Sequence, residues 1–335
     1  MSDQVAPFGV PRRALLRAAG LAMPAIMVAS RGWAAGYPDK PVRVVVPFTP
    51  GGSTDILARA VAQKLTEDLK QSFVIDNRGG AGGTVGSEMV ARSAPDGYTI
   101  MMGHIGTLGV NPTLYQGLSF DIAKSFDPIV MVAEVANVLV VNPKVPAENT
   151  RELIALARKK PGGLTYGSGG NGSAAHIAVA AFAQAAQIEL THVPYRGTGP
   201  MMNDLVAGQL DMTMTGGPPA LPPVRSGLLR ALGVSSKNRI EAAPDLPTIA
   251  ESGGLPGFEA VQWYGLVAPT GTPRPIIEKL NQEVARILKD PTLKQRLSAE
   301  GAEAKPGTPE EFGAYITSER ERWGKLIREA NLKAD

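Results

Sequence analysis

The stretch Val42-Arg43-Val44-Val45-Val46-Pro47-Phe48 is apolar at nearly every position, which a half-exposed strand does not tolerate. Such a run belongs to a strand covered on both faces, as in a parallel sheet flanked by helices. It stops at Thr49-Pro50-Gly51-Gly52-Ser53. Beyond this turn Ile56, Leu57, Ala60, Val61 and Leu65 recur at helical spacing, and Ser53 or Thr54 is suited to cap the first turn. A buried strand, a tight glycine turn and a helix in succession set the class as α/β, with helices on both faces of a sheet.

The unit repeats. Phe73-Val74-Ile75 reads as a strand, Gly79 to Gly83 as a glycine-rich loop, the residues through Met89 and Val90 as a short helix, and Tyr98 to Met102 as a third strand. A second series starts at Val138-Leu139-Val140-Val141, with a helix near Thr150 to Lys160, a strand at Leu164 to Tyr166, a helix over Ala174 to Ala186 and a strand at Leu190 to Val193. Alternation of this kind predicts two parallel, doubly wound lobes, and 335 residues are enough for two cores. Trp263 to Pro269 reads as another extended segment. Two amphipathic helices follow, one with Ile276, Ile277, Leu280, Val284, Ile287 and Leu288 on one side, the other opening on the capping box Thr308-Pro309-Glu310-Glu311. We expect this end to return to the first lobe. Residues 37–138 and 261–335 then form lobe 1 and residues 139–260 lobe 2, with two crossings as a hinge around a central cleft.

Residues 1–36 read as an address rather than as fold. Pro11-Arg12-Arg13-Ala14-Leu15-Leu16-Arg17 precedes a modest apolar stretch from Ala18 to Ser30 and small residues near Gly36, a secretory signal of twin-arginine type. The apolar stretch is shorter than the roughly 20 residues a bilayer span requires, so cleavage and a periplasmic location are expected. The leader carries Arg12, Arg13, Arg17 and Arg31 against Asp3, so without it the formal charge of +3 falls to zero. No basic face is left to suggest a nucleic-acid partner. The chain has no cysteine, which removes disulfides, thiolate metal sites and a cysteine nucleophile. His104, His176 and His192 are its three histidines, and none pair at a metal-ligand spacing. Neither metal nor cofactor is expected.

The chemistry concentrates in two loops. Pro50-Gly51-Gly52-Ser53-Thr54-Asp55 lies where a strand ends and a helix begins, a position whose free backbone N–H groups and helix dipole attract an anion. Tyr166-Gly167-Ser168-Gly169-Gly170-Asn171-Gly172-Ser173 repeats the arrangement in the second lobe. Open α/β sheets bind ligands beyond the carboxyl ends of their strands, so two such loops facing across a cleft would clamp a small acid. A rival reading is an NAD(P)-dependent oxidoreductase. Gly167 to Gly172 fits G-x-G-x-x-G, and Arg196 would suit a ribose phosphate, but no acidic residue ends the next strand. A hydrolase using Ser168 or Ser173 with His176 lacks the G-x-S-x-G elbow. His176 is equally well a cleft residue or a structural one, and Asp211 most simply ends a strand.

Beyond these loops the chain resembles the Bug-type receptors of tripartite tricarboxylate transporters. The resemblance rests on Pro50 to Asp55, Asn77 with Gly80-Ala81-Gly82-Gly83, Pro95-Asp96-Gly97-Tyr98-Thr99, Gly172-Ser173-Ala174-Ala175-His176 and His192-Val193-Pro194-Tyr195-Arg196-Gly197. Asp245-Leu246-Pro247-Thr248, Pro256-Gly257-Phe258-Glu259 and Trp263-Tyr264-Gly265 extend it over nearly all of residues 37–335. It implies a type II periplasmic binding protein fold that closes on a carboxylate held by amides, hydroxyls and water. It also implies hand-over of that acid to transmembrane transporter subunits by a monomeric, non-enzymatic receptor. Carried over, Thr49, Gly52, Ser53 and Asp55 line the first lobe and Ser168, Gly169 and Ser173 the second. His104 and Tyr195 are candidates for reading the ligand's far end, and Phe48, Asn77, Gly172, His176 and Arg196 complete the expected site. Gly79 stands where the family often has proline, and Gly167 and Gly169 replace bulkier residues.

Overall fold

The computed structural model describes residues 1–2, 36–299, 301–329 and 332–334, so most of the expected leader lies outside the described residues. Strands are numbered along the chain. One six-stranded sheet holds β1 (Val42–Val46), β2 (Phe73–Asn77), β3 (Thr99–His104), β4 (Phe126–Val135), β10 (Gln262–Pro269) and β11 (Ala302–Ala304) in the order β11-β4-β10-β3-β1-β2. A five-stranded sheet holds β5 (Asn137–Val141), β6 (Thr165–Ser168), β7 (Thr191–Pro194), β8 (Met212–Gly216) and β9 (Arg230–Val234) in the order β7-β6-β8-β5-β9.

The sheets are mixed rather than wholly parallel. β1 runs parallel to β2 and β3, and β6 to β7 and β8, as a helical crossover dictates. β10 is antiparallel to both β3 and β4, and β5 to both β8 and β9. The reason is the route of the chain. β5 follows β4 after the single residue Ala136, and β10 arrives from the second sheet, so each enters its sheet without a crossover helix. The short β11 adds a further antiparallel edge on β4.

Val42, Val44, Val45 and Val46 are all buried, as an apolar run covered on both faces should be. The helix Ser53–Leu69 packs on β1 and β2 and stops at Lys70, whose left-handed φ of 56° turns the chain out. Arg274–Ile287 packs on β4 and against Ser53–Leu69, and Pro309–Glu329 packs on β4 and on the π-type turn Ile105–Val110. In the second sheet Ala174–Ala186 covers β6 and β8. A hydrophobic core including Met101, Leu139, Phe182, Trp263 and Trp323 runs from one sheet to the other. Among the described residues no helix is long and apolar enough to cross a membrane.

Candidate ligand-binding site

The first loop is braced from behind. β1 and β2 pair in a register that sets Val46 beside Asn77, and Asn77 Nδ2 donates to Phe48 O at 3.0 Å and to Asp55 Oδ1 at 3.0 Å. Asp55 Oδ2 accepts from Gly51 N at 3.1 Å and from Arg59 Nε at 3.0 Å. Burial works against the Asp55 charge. The bonds from Arg59, Asn77 and Gly51 outweigh it and hold the carboxyl below its usual range. Asp55 and Asn77, expected at the ligand, bond the loop itself. They are spent on the loop, and the surface they shape belongs to Gly52, Ser53 and Thr54. Gly52 at the N-cap has no side chain to cap the helix, which leaves its first N–H groups for a ligand.

The second loop is built on a stack of rings. His176 lies on His192 with centroids 4.4 Å apart, and His192 on Tyr166 at 4.7 Å. Ser168 Oγ is 2.7 Å from His192 Nε2 and also bonds Gly170, and His176 Nδ1 accepts from Gly172 N at 3.1 Å. Burial pushes His192 down to about 4. Ser168 and His176, expected at the ligand, bond the loop from inside the lobe. Ser173 caps the helix Ala174–Ala186, its hydroxyl accepting from His176 N at 3.4 Å.

Between the loops lies a cavity of about 20 Å³, room for roughly one water molecule. Phe48, Gly52, Ser53, Thr54, His104, Gln262 and Tyr264 line it from one lobe, and Gly169, Ser173, Ala174, Ala175, Thr198 and Thr215 from the other. None of these is charged. The His104 ring packs 4.6 Å from Phe48, and its Nδ1 accepts from Thr107 N at 3.1 Å. Burial pushes His104 down to about 4, so near neutral pH the ring is uncharged and its proton sits on Nε2.

The remaining expected residues lie elsewhere. Tyr195 donates to Asp204 Oδ2 at 2.7 Å and packs with a satellite core of the second lobe, and Arg196 is exposed. Burial and the Asp204 carboxylate push the Tyr195 hydroxyl up to about 12. Thr49 and Gly172 sit on the seam where the lobes touch. A Cβ on Gly197 would fall 1.8 Å from Thr49 Oγ1, on Gly82 2.1 Å from Asn171 O, on Gly172 2.3 Å from Asn111 Oδ1 and on Gly216 2.3 Å from Ser53 Oγ. Tyr115 also donates across the seam to Asn171 O at 2.8 Å. Thr198, Thr215, Gln262 and Tyr264 are lining residues that the sequence reading missed. Thr215 was findable, since Met212-Thr213-Met214-Thr215 alternates like a strand and its carboxyl end belongs on the rim.

The dinucleotide reading fails at Gly167 to Gly172. Side chains of Leu210 and Met201 pack on Gly167, and Gly172 faces Asn111, Leu114 and Tyr115 across the seam, so these glycines serve close packing within the protein. Asp211 accepts from Thr165 N at 2.7 Å and simply joins β6 to β8. Among the described residues no group of three or more His, Asp or Glu side chains is arranged to hold a metal ion.

Two α/β lobes joined by two crossings, with facing helix N-termini at the cleft, define a periplasmic binding protein. The family model described as "Tripartite tricarboxylate transporter family receptor" matches residues 57–332, and the chain belongs to that family. It is 35% identical over 319 residues to Protein BugT of Bordetella pertussis, covering 93% of this chain and 98% of that protein. Two solved structures from Rhodopseudomonas palustris are similar. Rpa4515, solved with adipate, is 37% identical with a TM-score of 0.86 over 89% of this chain and 99% of its own. MatC, solved with bound malate, is 34% identical with a TM-score of 0.82 over 87% and 100%.

Proposed function

We propose that the cleft captures a small organic carboxylate, in the first instance a dicarboxylate, and that the closed receptor delivers it to the transmembrane subunits of a tripartite tricarboxylate transporter. The observation that carries this reading is the uncharged, donor-rich cavity between the N-termini of Ser53–Leu69 and Ala174–Ala186. Helix N-termini and backbone amides stabilise an anion without a counter-ion, and several charge-assisted bonds supply the roughly 8 kcal/mol of micromolar binding. Adipate and malate in two similar structures support the ligand class.

In this reading the protein binds without turnover, needs no cofactor, acts as a monomer and works in the periplasm after loss of residues 1–36. Ala136 and the segment before Gln262 serve as the hinge between lobe 1 (37–138 and 261–335) and lobe 2 (139–260). Thr49 and Gly172 close the seam, and Phe48, Gly52, Ser53, His104, Gly169 and Ser173 meet the ligand. The test is a thermal-shift screen against mono-, di- and tricarboxylates, aromatic acids, acidic amino acids and NAD(P), followed by calorimetry. Concentration-dependent stabilisation by dicarboxylates is expected. Stabilisation by NAD(P) and by no acid would overturn the reading.

A further inference from the structure

We propose that Asn137 is a positioning residue for ligand capture: through Gln262 it sets a donor that faces the cavity and ties both interlobe crossings to what fills it. The inference rests on the reading of the cleft as the ligand site. Asn137 opens β5, one residue after the first crossing at Ala136, and Gln262 opens β10 at the second crossing. Both are buried, at 1% and 3% exposure. Gln262 and Tyr264 line the cavity, and Asn137 stands behind them.

A polar network with one sense of donation joins these residues. Asn137 N donates to Ser235 Oγ at 2.9 Å, and Ser235 Oγ donates to Ala260 O at 2.7 Å. Asn137 Nδ2 donates to the same Ala260 O, so Oδ1 is the atom it offers to Gln262. Gln262 Nε2 donates to that oxygen, and Gln262 Oε1 accepts from the Tyr264 hydroxyl. Tyr264 and Ser53, at the start of the first-lobe helix, line the same cavity. The orientation of the Gln262 amide is therefore dictated from the hinge, and one Nε2 hydrogen is used while the second is left for the cavity. Ser235 N to Asn137 O, 2.8 Å, and Ala260 N to Ser235 O, 3.0 Å, stitch the crossings together beside it. A rotation at either crossing shears this network, so it favours one lobe arrangement, and a ligand bonded to Gln262 or Tyr264 adds to the same preference.

The chain has no cysteine, so Val74→Cys on the first lobe and Leu228→Cys on the second, both 52% exposed, accept a pair of spin labels. Interlobe distances are measured with and without malate or adipate in this parent and in Asn137→Ala, with dissociation rates for whichever acid binds. The expected result is a longer, broader distance distribution without acid and a dissociation rate raised about five- to ten-fold, the scale of a residue that acts through another. Gln262→Met, similar in length, should reproduce both effects and serves if Asn137→Ala does not fold. Distances and dissociation rates equal to the parent's, with only the melting temperature lowered, would overturn the inference. If neither acid nor any other carboxylate binds the parent, the receptor reading falls, and the acid-free distances alone decide the role of Asn137.

Discussion

The Thr49 hydroxyl is pressed against Gly197 of the opposite lobe, buried and without a hydrogen-bond partner. Asn111 Oδ1 is in the same position against Gly172. Bringing the lobes together strips both oxygens of water and returns no bond, at a cost of about 1–3 kcal/mol each. Closure is thereby handicapped at the seam, which makes it depend on what the cavity holds. Thr49→Val keeps the shape and removes the stranded hydroxyl. We expect acid affinity to rise about five-fold or more, read by calorimetry, with a more compact particle in X-ray scattering before acid is added. A drop in affinity would instead mean that the hydroxyl bonds the ligand directly.

Gly197→Ala tests the same contact from the other side. Its φ of 162° is extended backbone that any residue adopts, so the added methyl brings no strain within its own lobe. The methyl does collide with Thr49 and holds the lobes apart. Affinity should fall at least about ten-fold, while the denaturation midpoint changes little, because the loss is in closure and not in either core. Combining it with Thr49→Ala should restore part of the affinity. Independent, additive losses would show that the two residues do not meet in the bound form.

Asp55 reaches no cavity wall, yet Asp55→Ala should weaken acid binding. Its carboxylate is the shared acceptor for Gly51 N, Asn77 Nδ2 and Arg59, and the loop that offers Gly52 and Ser53 to the ligand is tied to it. Removing it leaves a buried amide without its partner and frees the turn. A stability loss of about 1–3 kcal/mol in urea unfolding, with weaker acid binding, is the expected pair of results. Full retention of affinity would mean that Pro47 and the flanking glycines hold the loop unaided.

Local residue patterns carried much of this architecture. The run Val42 to Val46 and the helical repeat after Ser53 need no distant partner to be recognised, and both glycine loops sit at strand ends where ligands gather. Strand direction is different in kind. β10 opposes β3 because the chain reaches it from the second sheet, and nothing within Gln262 to Pro269 encodes that. β4 was missed because Asp127, Pro128 and Glu134 interrupt its apolar pattern, and its pairing with β10 involves residues more than a hundred positions away. The facing of Asp55 likewise depends on Asn77, which β2 brings alongside, and Gln262 acquires its orientation from Asn137.

Acid should unfold this protein through its buried histidines. His104 and His192 are held down at about 4 against an ordinary 6.5, in both cases by burial. Between those values the unfolded chain binds more protons than the native one, so stability rises with pH across the window. The contribution is fully present above about 6.5 and is lost as pH falls towards 4. For the fully buried His104 a shift of this size corresponds to up to about 3 kcal/mol, and for the partly exposed His192 to less, because water screens part of it. Urea midpoints should therefore drop steeply between pH 6.5 and 4.5. His192→Gln removes one of these titrating groups and should flatten the slope, although its stability at pH 7 also falls with loss of the Ser168 bond and the ring stack. An unchanged slope in that variant would mean that His192 is hydrated in solution and keeps its ordinary affinity for protons.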